Sequence, residues 1–317
     1  MKQSRTKLVD QHGRHIHKLR LALLDACNFR CIYCMPDDPK FMHKKNLLSS
    51  QELISLATHL VDLGIDEIRL TGGEPTLRSD LLEIIRGLDK LNLSKLGLTT
   101  NGQHMAKLLP ELKNTTCKHL NFSLDSLNKV GFQKMTGSPH LEKVLESIFM
   151  AKELGFNVKI NAVLMKGFND KEIEDFIDFS GRYDIEVRFL ELMRIGEARE
   201  SFEKKFVSAD EIIERLKKFS SITPISLPID STSFNFTLSN GANIGIIASE
   251  SKPFCTGCSR LRLSADAILR PCLMMNEGYS LRGKDRNEIS DLLHKTMSLK
   301  PIERIYDVSQ PMNQIGG

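Results

Sequence analysis

A strand pattern followed by a helix pattern repeats about six times between residues 18 and 192. The predicted strands cover residues 19–24, 67–70, 95–99, 119–124, 158–164 and 186–192. The first helix is the clearest, because Ser49 and Glu52 form a capping-box pattern ahead of apolar residues at helical spacing. Strands that alternate with helices usually lie parallel in one sheet, so this repeat predicts a parallel α/β fold.

Polar or turn-forming groups stand at the carboxyl ends of five of the predicted strands. They are Asp-Ala-Cys at 25–27, Thr-Gly-Gly-Glu at 71–74, Thr-Thr-Asn-Gly at 99–102, Ser-Leu-Asp at 123–125, and Glu191. Active sites of α/β barrels are assembled from these ends, whereas an open doubly wound sheet concentrates its ligand at one switch point. The pattern therefore favours a partial (β/α)6 barrel of the TIM type over an open sheet, although periodicity alone allows both.

The pattern changes after about residue 220 to short β-like runs at 222–226, 234–238 and 244–248. A helix-compatible stretch follows at 286–297, and turn residues at 239–241 separate the last two runs. We predict a core barrel over residues 1–220 and a partly antiparallel C-terminal segment over 221–317 that closes the open side of the barrel.

The charge balance excludes a nucleic-acid footprint. Forty-four Lys and Arg against 40 Asp and Glu leave a formal charge of +4, which is too small and too evenly spread for that purpose. No run approaches the roughly 18 apolar residues of a membrane helix, and residues 1–7 lack the apolar region of a secretory signal. We expect a cytoplasmic protein with neither a nucleic-acid nor a membrane partner.

Six of the seven cysteines form two groups of three. The first trio is Cys27, Cys31 and Cys34; the second trio is Cys255, Cys258 and Cys272; Cys117 stands apart as a predicted buried filler. In a reducing compartment such grouping indicates metal ligation before disulfides.

Three thiols are one fewer than the four ligands that a closed zinc site or a fully ligated iron–sulfur cluster usually takes. Three thiolates can hold three irons of a 4Fe–4S cluster and leave the fourth open to a small chelating ligand. The alternative is a zinc loop in which His12, His15, His17 or His43 completes the ligand set.

The first trio, with Tyr33 directly before its third cysteine, resembles the signature of the radical S-adenosylmethionine superfamily. The segment Thr-Gly-Gly-Glu-Pro at 71–75 resembles the second motif of that superfamily. Further along, the segment 255–262, the segment 269–273 and the terminal Gly316-Gly317 are similar to the GTP 3′,8-cyclase family of molybdenum-cofactor biosynthesis. This resemblance extends from Asp10-Gln-His-Gly-Arg14 to the C-terminus.

The resemblance implies two 4Fe–4S clusters, one on each trio, and S-adenosylmethionine on the first. Residues implied to contact S-adenosylmethionine are Tyr33, Gly73, Ser123 and Met193. Residues implied to bind GTP are Arg20, Arg69, Thr99, Lys159, Arg260, Leu261 and Arg262, with Arg188 as an addition. The implied catalytic set is the first trio with Arg260 and Arg262. Arginine suits a triphosphate because its guanidinium offers bidentate donors.

The implied reaction begins when one electron from an external reductant enters the first cluster and S-adenosylmethionine is cleaved. The resulting 5′-deoxyadenosyl radical removes hydrogen from C3′ of GTP, and the carbon radical closes onto C8 of guanine. The product is (8S)-3′,8-cyclo-7,8-dihydroguanosine 5′-triphosphate, which cyclic pyranopterin monophosphate synthase consumes. The resemblance also implies that the Gly-Gly tail reaches the site, and that the chain is a monomer or homodimer.

Four departures from the family pattern leave the metal ligands in place. Ala26 replaces an arginine before the first cysteine, Ser259 replaces an asparagine, Arg194 replaces an acidic residue, and 245–249 reads Gly-Ile-Ile-Ala-Ser. Two other functions remain open. One is a different two-cluster radical enzyme, such as a diverged paralogue or a peptide maturase. The other is a zinc-stabilised binding protein without catalysis.

Overall fold

The computed structural model describes residues 7–306 together with Val308, Met312 and Ile315. Its strands are β1 Lys18–Ala22, β2 Glu67–Thr71, β3 Lys95–Thr100, β4 Cys117–Ser123, β5 Asn157–Leu164, β6 Glu186–Glu191, β7 Ile222–Ile225, β8 Phe234–Leu238, β9 Asn243–Ile247, β10 Arg260–Leu263, β11 Ile268–Arg270 and β12 Tyr279–Ser280. Its helices are α1 Ser50–Leu63, α2 Leu81–Asp89, α3 Leu109–Leu112, α4 Lys129–Thr136, α5 Leu141–Glu153, α6 Ile173–Tyr183, α7 Phe202–Lys205, α8 Ala209–Phe219 and α9 Arg286–Ser298.

The strands form one sheet in the order β12, β11, β10, β1, β2, β3, β4, β5, β6, β9, β8, β7. The six strands β1 to β6 lie parallel in chain order, as the βα repeat predicts. The sheet has two ends, β12 and β7, and so does not close on itself within the described residues. The predicted partial barrel is thereby confirmed.

The last third of the chain extends both edges of this parallel row. At one edge β9 pairs in parallel with β6, and β8 and β7 follow it in antiparallel order, as predicted. At the other edge β10 pairs in parallel with β1 and is followed by β11 and β12. The connection from β9 to β10 therefore joins one edge of the barrel to the other, and it contains Cys255 and Cys258.

Local sequence signals account for where the helices begin. The predicted capping box forms at Ser49–Glu52, and two more form at Ser208–Glu211 and Asp285–Glu288. Cys117 is fully buried at the first position of β4, as predicted for an apolar filler.

Strands from both sides of residue 220 belong to the same sheet, and the division of the chain at that residue stays a prediction. Among the described residues, none of the helices has both the length and the apolar character that crossing a bilayer requires.

Candidate active site

All six grouped cysteines line one cavity of about 370 Å³. The first trio lies on the loop after β1, and the second lies on the connection that precedes β10 and on the segment after β11. The carboxyl ends of β2, β3, β4 and β6 contribute further lining residues, among them Gly73, Thr99, Ser123 and Met193. The fold thus brings two widely separated cysteine groups to one space at the end of the barrel where active sites form.

Backbone hydrogen bonds from two neighbouring segments position the first trio. Gly73 N donates to Leu24 O at 2.8 Å and Glu74 N donates to Ala26 O at 2.9 Å, so the turn after β2 holds the start of the loop. At the far side, Ile32 N donates to Met135 O at 3.0 Å, which ties the loop to α4. The loop is therefore fixed at both ends before any ligand binds.

The glycine at position 73 is required by this packing. A Cβ atom there would lie 2.1 Å from Ala26 O, far inside normal contact distance. We expect Gly73→Ala to displace the cysteine loop, to lower the free energy of unfolding by about 2–3 kcal/mol, and to weaken S-adenosylmethionine binding by about tenfold or more. Urea unfolding and equilibrium binding under anaerobic conditions measure both effects.

A suitable control is Gly155→Ala, where a Cβ would meet nothing within 4 Å and only the left-handed backbone at φ +81° opposes it. That control should cost about 1 kcal/mol and leave binding unchanged. Wild-type affinity in Gly73→Ala would contradict the role given to this turn.

Tyr33 is held by a buried carboxylate that the sequence interpretation left without a role. Its hydroxyl donates to Asp125 Oδ2 at 2.8 Å, and Val163 N donates to Asp125 Oδ1 at 2.9 Å. Burial raises the pKa of Asp125 to about 6 against the opposing effect of these hydrogen bonds. The position of Asp125 just beyond β4 was the available signal, since that strand end was already expected to face the site.

Two cationic side chains hold the second trio in place, and neither of them was assigned a role at the site from the sequence. Arg14 Nη1 donates to Cys255 O at 2.7 Å, and Arg14 Nε is paired with Asp10 at 2.7 Å. Lys300 is 2% exposed and donates from Nζ to Arg260 O at 2.6 Å and to Pro271 O at 2.8 Å. Both side chains reach across long sequence separations, which no local pattern reveals.

The thiols of the second trio differ in their electrostatics. Burial favours the neutral thiol of Cys258, but Arg260 and Lys300 outweigh it and lower its pKa to about 6. Burial and the neighbouring thiols raise the pKa of Cys255. A nearby cationic field favours the thiolate form that metals require.

The donor sets fit iron–sulfur clusters better than single ions. All six grouped cysteines are free thiols, and thiolate is the preferred ligand of such clusters. Among the described residues, no three His, Cys, Asp or Glu side chains have the spacing that a single metal ion needs. Of the histidines considered for the zinc loop, His17 instead bonds Asp66 and Asp230.

Three arginines stand side by side on adjacent strands of the barrel. In register, Arg20 of β1 lies opposite Arg262 of β10 on one side and Arg69 of β2 on the other. Adjacent strands are only about 4.8 Å apart, and like charges at neighbouring positions repel. Gly97 makes room for this row, because a Cβ there would lie 3.1 Å from the Arg69 guanidinium.

The arginine row carries an excess of positive charge. Burial, aided by neighbouring arginines, lowers the pKa of Arg20 well below its usual range and that of Arg262 to about 10; burial and Arg188 lower that of Arg69 to about 10. Within the part of the chain described, neither Arg20, Arg69 nor Arg260 forms an ion pair with a carboxylate. Buried charges without partners are costly, so this region is built to receive an anion.

A second, smaller cavity of about 160 Å³ shares lining residues with the main cavity. Arg69 and Lys159 line it, and Arg20, Arg188 and Arg260 line both cavities. Glu186 accepts from Lys159 and from Arg188, each at 2.6 Å, and neutralises part of this charge. A long polyanion could therefore extend from the thiols toward the base of the barrel.

Two buried polar atoms at the main cavity have no hydrogen-bond partner among the residues that the structure describes. They are Arg260 Nη2, a donor, and Asn161 Oδ1, an acceptor. Unsatisfied buried groups cost about 1–3 kcal/mol each, so a polar ligand that bonds both would be stabilised.

The structure does not bring every predicted residue to the cavities. Side chains alternate along β10, so Arg260 and Arg262 face the main cavity, whereas Leu261 is 0% exposed and lies in the hydrophobic core. Its assignment as a substrate contact stays a prediction. Gly316 and Gly317 lie outside the described residues, so the role of the tail also stays a prediction.

Two of the sequence departures have local partners. Ser259 Oγ donates to Asp230 Oδ2 at 2.8 Å, and Arg194 N donates to Glu250 Oε1 at 2.8 Å. Arg194 also lines a larger, open groove of about 910 Å³ beside Glu250, which none of the six grouped cysteines lines. We place the chemistry in the main cavity of about 370 Å³, because thiols and cations meet there.

Comparisons with known proteins agree with this geometry. The sequence matches the Radical SAM superfamily over residues 21–180 and Molybdenum Cofactor Synthesis C over residues 185–304. It is 44% identical to GTP 3′,8-cyclase of Synechocystis sp. over 98% of this chain and 95% of that protein, and 42% identical to the Aquifex aeolicus enzyme of the same name over 87% of each. Streptococcus suis SuiB bound to its precursor peptide has a similar fold, with a TM-score of 0.68 and 15% identity over 91% of this chain and 68% of that one.

Proposed function

This chain belongs to the GTP 3′,8-cyclase family of radical S-adenosylmethionine enzymes, and on that premise we propose that it converts GTP to (8S)-3′,8-cyclo-7,8-dihydroguanosine 5′-triphosphate. This is the first step of molybdenum-cofactor biosynthesis. The observation that carries the proposal is the single cavity that joins two cysteine trios to a row of buried arginines.

Family membership implies one 4Fe–4S cluster and S-adenosylmethionine. We assign the cluster to the first trio, and the cofactor to Tyr33, Gly73, Ser123 and Met193. When bound, these two groups supply the one-electron radical chemistry of the superfamily. The second trio is our proposed site for a further 4Fe–4S cluster, supported by its free thiols and its cationic surroundings.

The chain's own cations would hold the substrate. Arg20, Arg260 and Arg262 are proposed to bind the phosphates near the main cavity, with Thr99 beside them, and Arg69 and Lys159 to bind them deeper. The excess positive charge supports a triphosphate over an uncharged nucleoside, because charge-assisted bonds to arginine satisfy the unpaired donors. The barrel wall would exclude water from the reacting part of the substrate.

We further propose an external one-electron reductant, a downstream cyclic pyranopterin monophosphate synthase, a cytoplasmic location, and either a monomer or a homodimer. The free thiols of both trios support a reducing compartment.

The decisive experiment incubates the anaerobically reconstituted protein with GTP, S-adenosylmethionine and dithionite, followed by mass analysis. We expect 5′-deoxyadenosine and a cyclised product of the same mass as GTP, with about eight irons and eight sulfides per chain from two clusters. Modification of a peptide in place of GTP would support a peptide maturase. Zinc without sulfide would support a non-catalytic binding protein.

A further inference from the structure

Two lysines, Lys134 and Lys205, lie over the half-buried ring of Phe168 next to the first cysteine loop, and Lys166 lies beside Lys205; these four residues are called here the Phe168 patch. We propose that the Phe168 patch docks an acidic one-electron carrier protein of the flavodoxin or ferredoxin class. The proposal rests on the proposed function, which requires one electron from outside for each cleavage of S-adenosylmethionine. In that transfer the carrier loses one electron and the first cluster gains it.

The patch is assembled from three separate segments of the chain. Lys134 Nζ of α4 lies 4.5 Å from the centroid of the Phe168 ring, and Lys205 Nζ of α7 lies 5.1 Å from it. Lys166 N donates to Lys205 O at 2.8 Å, so Lys166 stands beside the same group. The attraction between each ammonium group and the ring offsets part of the mutual repulsion of the lysines.

The lysines of the patch form no ion pair in the described part of the chain. Of the carboxylates nearby, Asp170 accepts from Gly167 N at 2.7 Å and Glu203 is paired with Arg194, whereas Glu211, which caps α8 through Ser208, also interacts electrostatically with Lys166. Lys134 and Lys166 are exposed, and Lys205 is half-buried. Lys134 and Lys205 therefore present positive charge that no carboxylate of the described residues pairs with, and this charge is complementary to an acidic protein.

The patch and the cluster-binding loop pack against the same apolar cluster. Phe168 belongs to a small apolar cluster with Ile32 and Tyr33 of that loop and with Met135 and Met165. Met135, which directly follows Lys134, accepts at its backbone O a hydrogen bond from Ile32 N at 3.0 Å. A carrier seated here would be separated from the first trio only by this packed layer, and its apolar rim could rest on the Phe168 ring.

A second basic segment provides the comparison. Lys44 and Lys45 lie exposed on the loop before α1, but Asp37 and Asp38 precede them on the same loop and reduce its net charge. Replacing Lys44 and Lys45 with Glu changes the net charge of the protein by the same amount as replacing Lys134 and Lys205 with Glu. Neither pair belongs to the residues proposed to bind cofactor or substrate.

The test measures binding of an acidic flavodoxin to the reconstituted holoenzyme by titration calorimetry at low and high salt. For Lys134→Glu with Lys205→Glu we expect affinity to fall by about tenfold or more at low salt, with a shallower salt dependence. Flavodoxin-driven cleavage of S-adenosylmethionine should fall in parallel, while dithionite-driven cleavage stays at the wild-type rate. Lys44→Glu with Lys45→Glu should change none of these values by more than about twofold.

Wild-type affinity in the Lys134 and Lys205 variant, or equal weakening in the Lys44 and Lys45 variant, would overturn the proposal. If charge reversal impairs dithionite-driven cleavage, the neutral pair Lys134→Gln with Lys205→Gln replaces it, and binding again decides. Absence of a cyclised GTP product would count against the proposed function alone, because flavodoxin binding and S-adenosylmethionine cleavage are measured without GTP.

Discussion

Replacing Cys272 with serine should halve the iron content of the reconstituted protein, from about eight to about four irons per chain, and reduce product formation to background. Cys272 lines the cavity with Cys255 and Cys258, and the three thiols are the minimum set for a cluster with one open iron. Serine keeps the shape of the side chain but supplies a hard oxygen in place of a soft sulfur ligand. Iron and sulfide analysis, together with product analysis, measures the two effects.

The matched control is Cys117→Ala, which removes a thiol that is fully buried in β4 and lines neither cavity. It should cost about 1 kcal/mol of stability and leave the iron content at the wild-type level. Full activity in Cys272→Ser, or loss of iron in Cys117→Ala, would argue against the second cluster site.

Removing the guanidinium of Arg260 or Arg262 should weaken GTP binding by about 10- to 100-fold while the affinity for S-adenosylmethionine stays within about twofold of wild type. Hydrogen bonds between charged groups contribute about 1.5–3 kcal/mol, which sets this range. Arg260 has an unpaired buried Nη2 atom, and Arg262 stands in the arginine row beside Arg20. Equilibrium dialysis with each ligand separately would measure the difference.

One further variant separates charge from geometry, and another serves as a surface control. Arg260→Lys keeps the charge but loses the bidentate donors, so it should recover only part of the lost GTP affinity. Arg86→Ala removes an exposed arginine that pairs with Glu111, and it should leave both affinities unchanged. Equal loss of GTP and S-adenosylmethionine binding in Arg260→Ala would contradict the division of roles proposed here.

The six parallel strands and their helices could be predicted from the sequence because each depends on local periodicity and local caps. The strand β10 could not, since four residues of Arg-Leu-Arg-Leu become a strand only through pairing with the distant β1. The alternation along β10 that turns the side chain of Leu261 into the core, away from Arg260 and Arg262, likewise exists only once this strand has formed.

The cysteine trios could be recognised from spacing alone, but the groups that support them could not. Arg14 reaches Cys255 across most of the chain, Lys300 reaches Arg260 from 40 residues away, and a lysine or arginine in a sequence is ordinarily an exposed residue. The side-by-side placement of Arg20, Arg69 and Arg262 could not be predicted either, because it depends on the register of three strands.

The connection between β9 and β10 bears on how the protein matures. The first six strands pair with sequence neighbours and can assemble as the chain is synthesised, whereas β10 must find β1 from more than 200 residues away. The first trio thus has its supporting turn early, while the second acquires its surroundings only when the last third of the chain has docked on both edges. We therefore expect the cluster of the first trio to form before the proposed cluster of the second, so that a chain whose last third has not docked would hold the first cluster alone.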